Sequence, residues 1–177
     1  VSEQFEELMQ QAMHARRENR FANAKRDYAR AVDICRQNGN KADLARALKG
    51  LGQIERDLGH LEIALQHYEE ALALHRAEGG AFKIAHTVRH VGDIHQDAGS
   101  IESAEPCYNE ALKLYRAHKQ TDALDLANTI RGMALLKEKT GNHVEAKLLW
   151  EEARDLYSKT SVSTGVAEST RHLALLA

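Results

Sequence analysis

The sequence is poor in the residues that interrupt or staple a chain. Among 177 residues there is one proline, Pro106, there are two cysteines, Cys35 and Cys107, and aromatic residues make up 5%. A single proline leaves long stretches free to be helical, because proline removes a backbone donor and clashes with the preceding turn. Two cysteines without metal-ligand spacing give no disulfide framework and predict reduced, partly buried thiols. An excess of one charge sign is also lacking: 24 Lys and Arg stand against 26 Asp and Glu. General affinity for nucleic acid or membrane surfaces is therefore not expected, and any electrostatic specificity must come from local patterning. No apolar run approaches the ~18 residues of a membrane span. No signal peptide is visible, and the expected location is cytoplasmic. The chain opens at Val1 without methionine, as a fragment or trimmed chain would, which leaves room for a lost targeting segment.

What the sequence has is self-repetition. An alanine precedes an aromatic residue in Ala24 to Tyr28, Ala64 to Tyr68, Ala104 to Tyr108 and Ala146 to Trp150, at intervals of 40, 40 and 42. Ala45, Ala85, Ala127 and Ala167 form a second series, and Asn19, Gly59, Gly99 and Gly141 a third, five residues before the first. Three series in one register mean stacked units, each too small to bury its apolar face alone.

Each unit reads as two antiparallel helices, A and B. In the second, Leu44, Ala45, Leu48, Leu51, Ile54 and Leu58 recur at spacings of three and four, and Gly59 supplies the left-handed residue that closes the helix. Asn19 does the same in the first unit. Leu61, Ala64, Leu65, Tyr68, Ala71, Leu72 and Leu74 make the inner face of helix B, which Gly79 and Gly80 end. Helices are predicted over about 4–18, 21–37, 42–58, 61–77, 82–98, 101–117, 124–140, 143–158 and 165–176. Gly52, Gly92, Ala134 and Ala174 share one site where small side chains let helix axes approach. Pro106 implies that its helix either begins late, capped by Ser103, or bends. His67 and His75 read as surface residues.

Leu51-Gly52, Leu58-Gly59, Ala64, Tyr68, Ala71-Leu72 and Leu74 resemble the tetratricopeptide repeat consensus, as do Val91-Gly92, Gly99, Ala104, Tyr108, Ala111-Leu112 and Leu114. The resemblance covers essentially the whole chain. The usual period is about 34 residues. The longer unit here is similar to the repeats of kinesin light chain and of LGN/Pins-type spindle-orientation scaffolds, and also occurs in bacterial regulators. It implies an all-α, right-handed superhelical solenoid of four and a half repeats in one domain, 1–177. The repeats are expected over about 4–40, 41–80, 81–120 and 123–162, with a half repeat at 163–177.

The resemblance also implies that the A helices line a concave groove where ligands bind. Counted from the alanine series, the position four later reads Met9, Lys49, Arg89, Arg131 and Arg171, cations on four consecutive units. The position one later reads Glu6, Arg46, His86, Asn128 and Glu168, and the position eleven later adds Arg16, Arg56, Gln96 and Glu138. The expected peptide-binding set is Arg46, Lys49, Gln53, Arg56, His86, Arg89, His90, Asp93, Asn128, Arg131 and Arg171. A ladder of exposed cations would grip an extended acidic or phosphorylated segment, since guanidinium groups hold carboxylates bidentately. The competing reading pairs each cation with a neighbour such as Asp57, Asp93 or Asp97. In the ladder reading Arg89 and Arg131 are exposed and replaceable without loss of stability.

Other sites are weaker. The carboxylate clamp of chaperone adaptors is absent, with Gln53, His90 and Gly132 at positions it needs, and Gly50 and His90 stand where the LGN/Pins asparagine ladder would be. His86, His90 and Asp93 share a helix face compatible with a divalent metal, but they read better as groove contacts. No nucleophile arrangement, phosphate loop or paired-carboxylate motif appears, so neither enzyme activity nor a cofactor is expected. At the C-terminus, Val166, Leu173 and Leu176 face the preceding unit, while Leu175 points away, so either a homodimer through the half repeat, the favoured reading, or an apolar floor to the groove is expected, with truncation of a longer array as the rival. Two functions stay open: a scaffold that binds an acidic peptide of a partner protein, or a structural or regulatory solenoid, part of a larger sensor or transcriptional regulator, that works through self-association.

Overall fold

A computed structural model describes residues 2–118 and 122–177. Among the described residues there are nine α-helices and no strand. They are α1 (Ser2–Arg17), α2 (Phe21–Asn38), α3 (Lys41–Asp57), α4 (Leu61–Glu78), α5 (Ala81–Asp97), α6 (Ile101–Ala117), α7 (Ala123–Lys139), α8 (His143–Lys159) and α9 (Ser163–Leu175). Every end lies within about two residues of its expected place, which is the ordinary scatter of helix boundaries.

The repeat closes each A helix by one device. Asn19, Gly59, Gly99 and Gly141 hold φ of 57°, 81°, 75° and 76°. The next backbone N–H then reaches back five residues: Arg20 donates to Ala15 O at 2.8 Å, His60 to Glu55 O at 2.8 Å, Ser100 to His95 O at 2.8 Å and Asn142 to Lys137 O at 2.9 Å. This satisfies carbonyls that a helix end otherwise leaves orphaned. Asparagine suffices at position 19 because it tolerates this conformation best after glycine.

The chain forms two compact units, Val1–Gly80 and Ala81–Ala177. In the first, α1–α4 bury Phe5, Leu8, Ala12, Tyr28, Ala31, Leu48 and Ile54. Tyr28 lies against Gly50, where an added Cβ would stand 2.3 Å from the ring, and Tyr68 lies against Gly52 at 2.8 Å. In the second, α5–α9 enclose Tyr108, Ile130, Leu136, Trp150 and Tyr157. Tyr108 fills the room beside Gly92 and Gly132, and Tyr157 the room beside Gly165. The glycine at 52 and 92 therefore has the packing reason expected of it. The glycines at 50, 132 and 165 have the same reason, which spacing alone does not reveal. Where the fourth unit's aromatic is Trp150, the place of Gly50 and Gly132 is taken by His172, which stacks on the indole at 4.3 Å and 16°.

Three expectations need correction. α6 starts at Ile101, so Pro106 does not delay it, and Ser100 rather than Ser103 stands before its first turn. Pro106 sits in the helix on an exposed face, where water can satisfy the carbonyl that loses its donor. His75 is not a surface residue but is 2% exposed. It falls seven residues, two turns, after Tyr68, the inward position that Cys35, Tyr115 and Tyr157 hold in the other units. His67, on the neighbouring face, is half-buried. Arg89, the third, belongs to the site below.

One structural ion pair recurs with its charges exchanged. Lys25 Nζ on α2 meets Glu55 on α3 at 2.7 Å, and Lys137 Nζ on α7 meets Glu105 on α6 at 2.6 Å. Residues 25 and 105 share a repeat position, as do 55 and 137, so the lysine and the glutamate have changed places. Glu55 is 2% exposed and also accepts from His60 Nδ1 at 2.8 Å. Its burial alone would raise the carboxyl, but the hydrogen bonds from Lys25 and His60 outweigh that and hold it below the ordinary range. Cys35 is buried, Cys107 half-buried, and both are free thiols.

Candidate functional site

The residues expected to face a ligand divide between the two units. In the first they lie on α3. Arg46 reaches back to α1, donating to Glu6 at 2.7 and 3.1 Å, with a further bond to Asp43 at 2.9 Å. Its guanidinium also lies 5.2 Å from the centre of the Phe5 ring. Gln53 donates to Asp57 at 2.9 Å and accepts from the Tyr68 hydroxyl at 3.3 Å. Arg16 on α1 donates to the same Asp57 at 2.6 Å. Lys49 and Arg56 are half-buried on the same helix.

In the second unit α5, α7 and α9 supply the set. Arg89 departs from expectation: it is 8% exposed overall. It donates to Asp93 at 3.0 Å, one turn on along α5, and lies 2.7 Å from His90 Nε2. Asp93 also accepts from the Tyr108 hydroxyl at 2.9 Å. Arg89 is thus part of a packed polar cluster, because its i, i+4 carboxylate and the ring of Tyr115 beside it draw the side chain down onto the helix pair. His86 and His90 meet edge to face at 4.8 Å. Among the described residues no three His, Cys, Asp or Glu side chains converge as a metal site would need. Asp93 is engaged by Arg89 and Tyr108 instead.

Arg131 remains accessible, with 39% of its side chain exposed. Its Nε and an Nη group donate to the two oxygens of Glu168 on α9, each at 2.7 Å. That bidentate bond holds the Glu168 carboxyl below its usual range and raises Arg131. Beside the pair lies a cleft of about 240 Å³, lined by Asn128, Arg131, Tyr157, Thr164 and Glu168 among others. The Tyr157 hydroxyl donates to Asn128 Oδ1 at 2.8 Å, and burial pushes that phenol up to about 12. Arg171 is exposed on α9 and contributes to the field that keeps Glu168 ionised.

The paired carboxylates are what sequence reasoning missed. Glu6 and Glu168 stand in the same column as Arg46, His86 and Asn128, but a column does not show that its first and last members turn toward cations on the neighbouring A helix. Spacings of 40 and 37 residues, near one repeat, were the available signal. The C-terminal expectation for Val166, Leu173 and Leu176 holds, since all three pack on the second core, and Leu175 is 76% exposed.

Among the described residues no helix is long and apolar enough to cross a membrane. A comparison with curated protein sequences gives no significant match. Among solved structures, RapI in its apo form superposes with a TM-score of 0.85 at 16% identity, over 94% of this chain and 60% of that one. BtubC (BKLC) from P. vanneervenii gives 0.76 at 21% identity, over 85% of this chain and 61% of that one. The chain thus spans about three fifths of the length of each. At these identities the likeness concerns the fold. The tetratricopeptide repeat profile matches residues 5–77 and 83–159. Together with the paired helices and their aromatic-on-glycine packing, that match settles the family: the chain belongs to the tetratricopeptide repeat proteins, a family of protein–protein interaction scaffolds.

Proposed function

We propose that this scaffold binds an extended acidic segment of a partner protein on the exposed faces of its A helices. Arg46 anchors it in the first unit, and Arg131 with Arg171 in the second. One observation carries the reading. Two accessible guanidiniums that face a neighbouring A helix, Arg46 and Arg131, hold the carboxylates of Glu6 and Glu168, as Arg16 holds that of Asp57. Both sites are therefore already shaped for the chemistry that an acidic ligand presents. Lys49, Gln53 and Arg56 belong with Arg46 in the first unit, and His86 and Asn128 belong to the site in the second. Arg89, His90 and Asp93 support it as a fixed cluster. Such a segment would be met in the cytoplasm.

The test is fluorescence anisotropy with a labelled peptide alternating glutamate and glycine. Arg46→Glu with Arg131→Glu should abolish binding while leaving the helical circular dichroism unchanged. Undiminished binding by that double variant would move the site elsewhere, for instance to the B helices.

A second reading rests on Leu175, which is 76% exposed. Self-association through α9 would cover it, in keeping with a regulatory solenoid. Light scattering on the wild type and on Leu175→Glu separates the readings, since a monomer at high concentration in both excludes the dimer.

A further inference from the structure

We propose that Glu168 on α9 and Glu6 on α1 are built-in ligands: in the free protein they fill the guanidinium sites of Arg131 and Arg46, and an acidic segment binds by taking their place. This rests on the reading that those guanidiniums receive the partner.

The two acids occupy one repeat position, which in the intervening units carries Arg46, His86 and Asn128. Only the first and the last A helix bring a carboxylate there, and each turns it toward the cation on the A helix next to it, at 2.7 Å in both cases. Both pairs are accessible. Exposed fractions are 46% for each partner of the first pair, and 39% and 25% for Arg131 and Glu168. Exposed pairs of this kind are weak, because water and salt screen them. A carboxylate from outside can therefore displace either acid at little cost. The buried pair of Arg89 and Asp93 differs, with exposures of 10% and 14%, and does not exchange in this way.

The Arg131 side has room for the exchange. In the cleft beside it Asn128 is fixed by the Tyr157 hydroxyl on its oxygen, which leaves its nitrogen as the donor end, and the Thr164 hydroxyl adds another polar group. Arg171 and Ala167 lie on a second cleft that Glu168 and Thr164 also line. When Glu168 leaves, an incoming anion meets Arg131 with neutral donors beside it and Arg171 nearby.

A built-in competitor has a distinctive signature. It lowers the affinity of every ligand that needs the guanidinium by one common factor, set by its own occupancy. A mere shift in local charge would instead act more strongly on ligands of higher charge. The experiment measures anisotropy with three labelled peptides of equal length, alternating glycine with glutamate, phosphoserine or glutamine. The proteins are the full wild-type chain, Glu168→Gln, Arg131→Gln and the double variant. Glu168→Gln should tighten the glutamate and phosphoserine peptides by the same factor, about two- to fivefold. The gain should vanish in the Arg131→Gln background, and Glu6→Gln should act in the same direction through Arg46. Fluorescence of Trp150, the single tryptophan, which stacks on His172 of α9, reports whether α9 stays docked. Unchanged or weakened glutamate-peptide binding in Glu168→Gln with α9 docked overturns the proposal. So does a gain that grows with ligand charge, or one that persists without Arg131. If neither acidic peptide binds any of the proteins better than the glutamine peptide does, the underlying reading of the site fails instead.

Discussion

Glycine at position 132 is a packing residue: an added Cβ would stand 2.6 Å from the Tyr108 ring. Alanine would ordinarily favour a helix over glycine by about 1 kcal/mol. Here overpacking, typically about 1–3 kcal/mol, opposes that gain. Gly132→Ala is therefore expected to lower stability in urea unfolding, against the direction that helix propensity dictates. Glu55 gives a second expectation. Its carboxyl lies below the ordinary 4.5 in the folded chain. A depressed carboxylate contributes stability that is fully present above its unfolded value and is lost as pH falls through the lower folded one. Thermal unfolding of Glu55→Gln should therefore depend less on pH below about 4.5 than that of the wild type. At this scale the sequence was only partly legible. The αL residues that close the A helices announced themselves by type, since glycine and asparagine tolerate that backbone best, whereas Ser161, at φ 58° after α8, did not. The burial of Arg89 and His75 did not. An arginine with an aspartate one turn away reads equally as an exposed pair or a packed one, and the rings that cover it come from another helix.

Among the elements, the helices were legible to within two residues at each end because apolar periodicity marks their extent and glycines such as Gly59 and Gly79 close several of them. The exchanged pair was not, since neither Lys25 with Glu55 nor Glu105 with Lys137 obeys a local spacing rule. It nevertheless makes an element-level prediction. Lys137 also meets Glu145 at 3.1 Å, so Lys137→Glu places three acids together between α6, α7 and α8. That variant should be destabilised in urea unfolding, and Glu105→Lys should restore part of the loss although it is the pair's other member. A double-mutant cycle reads the coupling, with recovery as the expected sign and additive losses as the contrary one. α9 docks by a mixed arrangement: Val166, Leu173 and Leu176 on the core, and His172 between Trp150 and the Glu138 carboxylate, which it meets at 2.9 Å. The Trp150 indole donates to that same Glu138. The apolar part was readable from spacing. The histidine was not, because its role follows from tryptophan replacing tyrosine one helix earlier.

For the whole molecule, the repeat makes the family plain and leaves the partner to surface chemistry. Nearly balanced net charge gives no broad attraction, and the proposed binding relies on a few placed guanidiniums acting together. The ladder as read from the sequence counted four cations as equivalent. The structure separates them: Arg89 is committed to Asp93, whereas Arg131 and Arg171 stay accessible. Periodicity gives the column a residue belongs to but not whether a neighbour already neutralises it. The most direct measurement is a map of backbone amide shifts on adding the glutamate peptide. Our account predicts that the largest changes fall on α3, α7 and α9, around Arg46, Arg131 and Glu168, and fade as salt is raised. Changes confined to α2, α4, α6 and α8, or changes indifferent to salt, would contradict it.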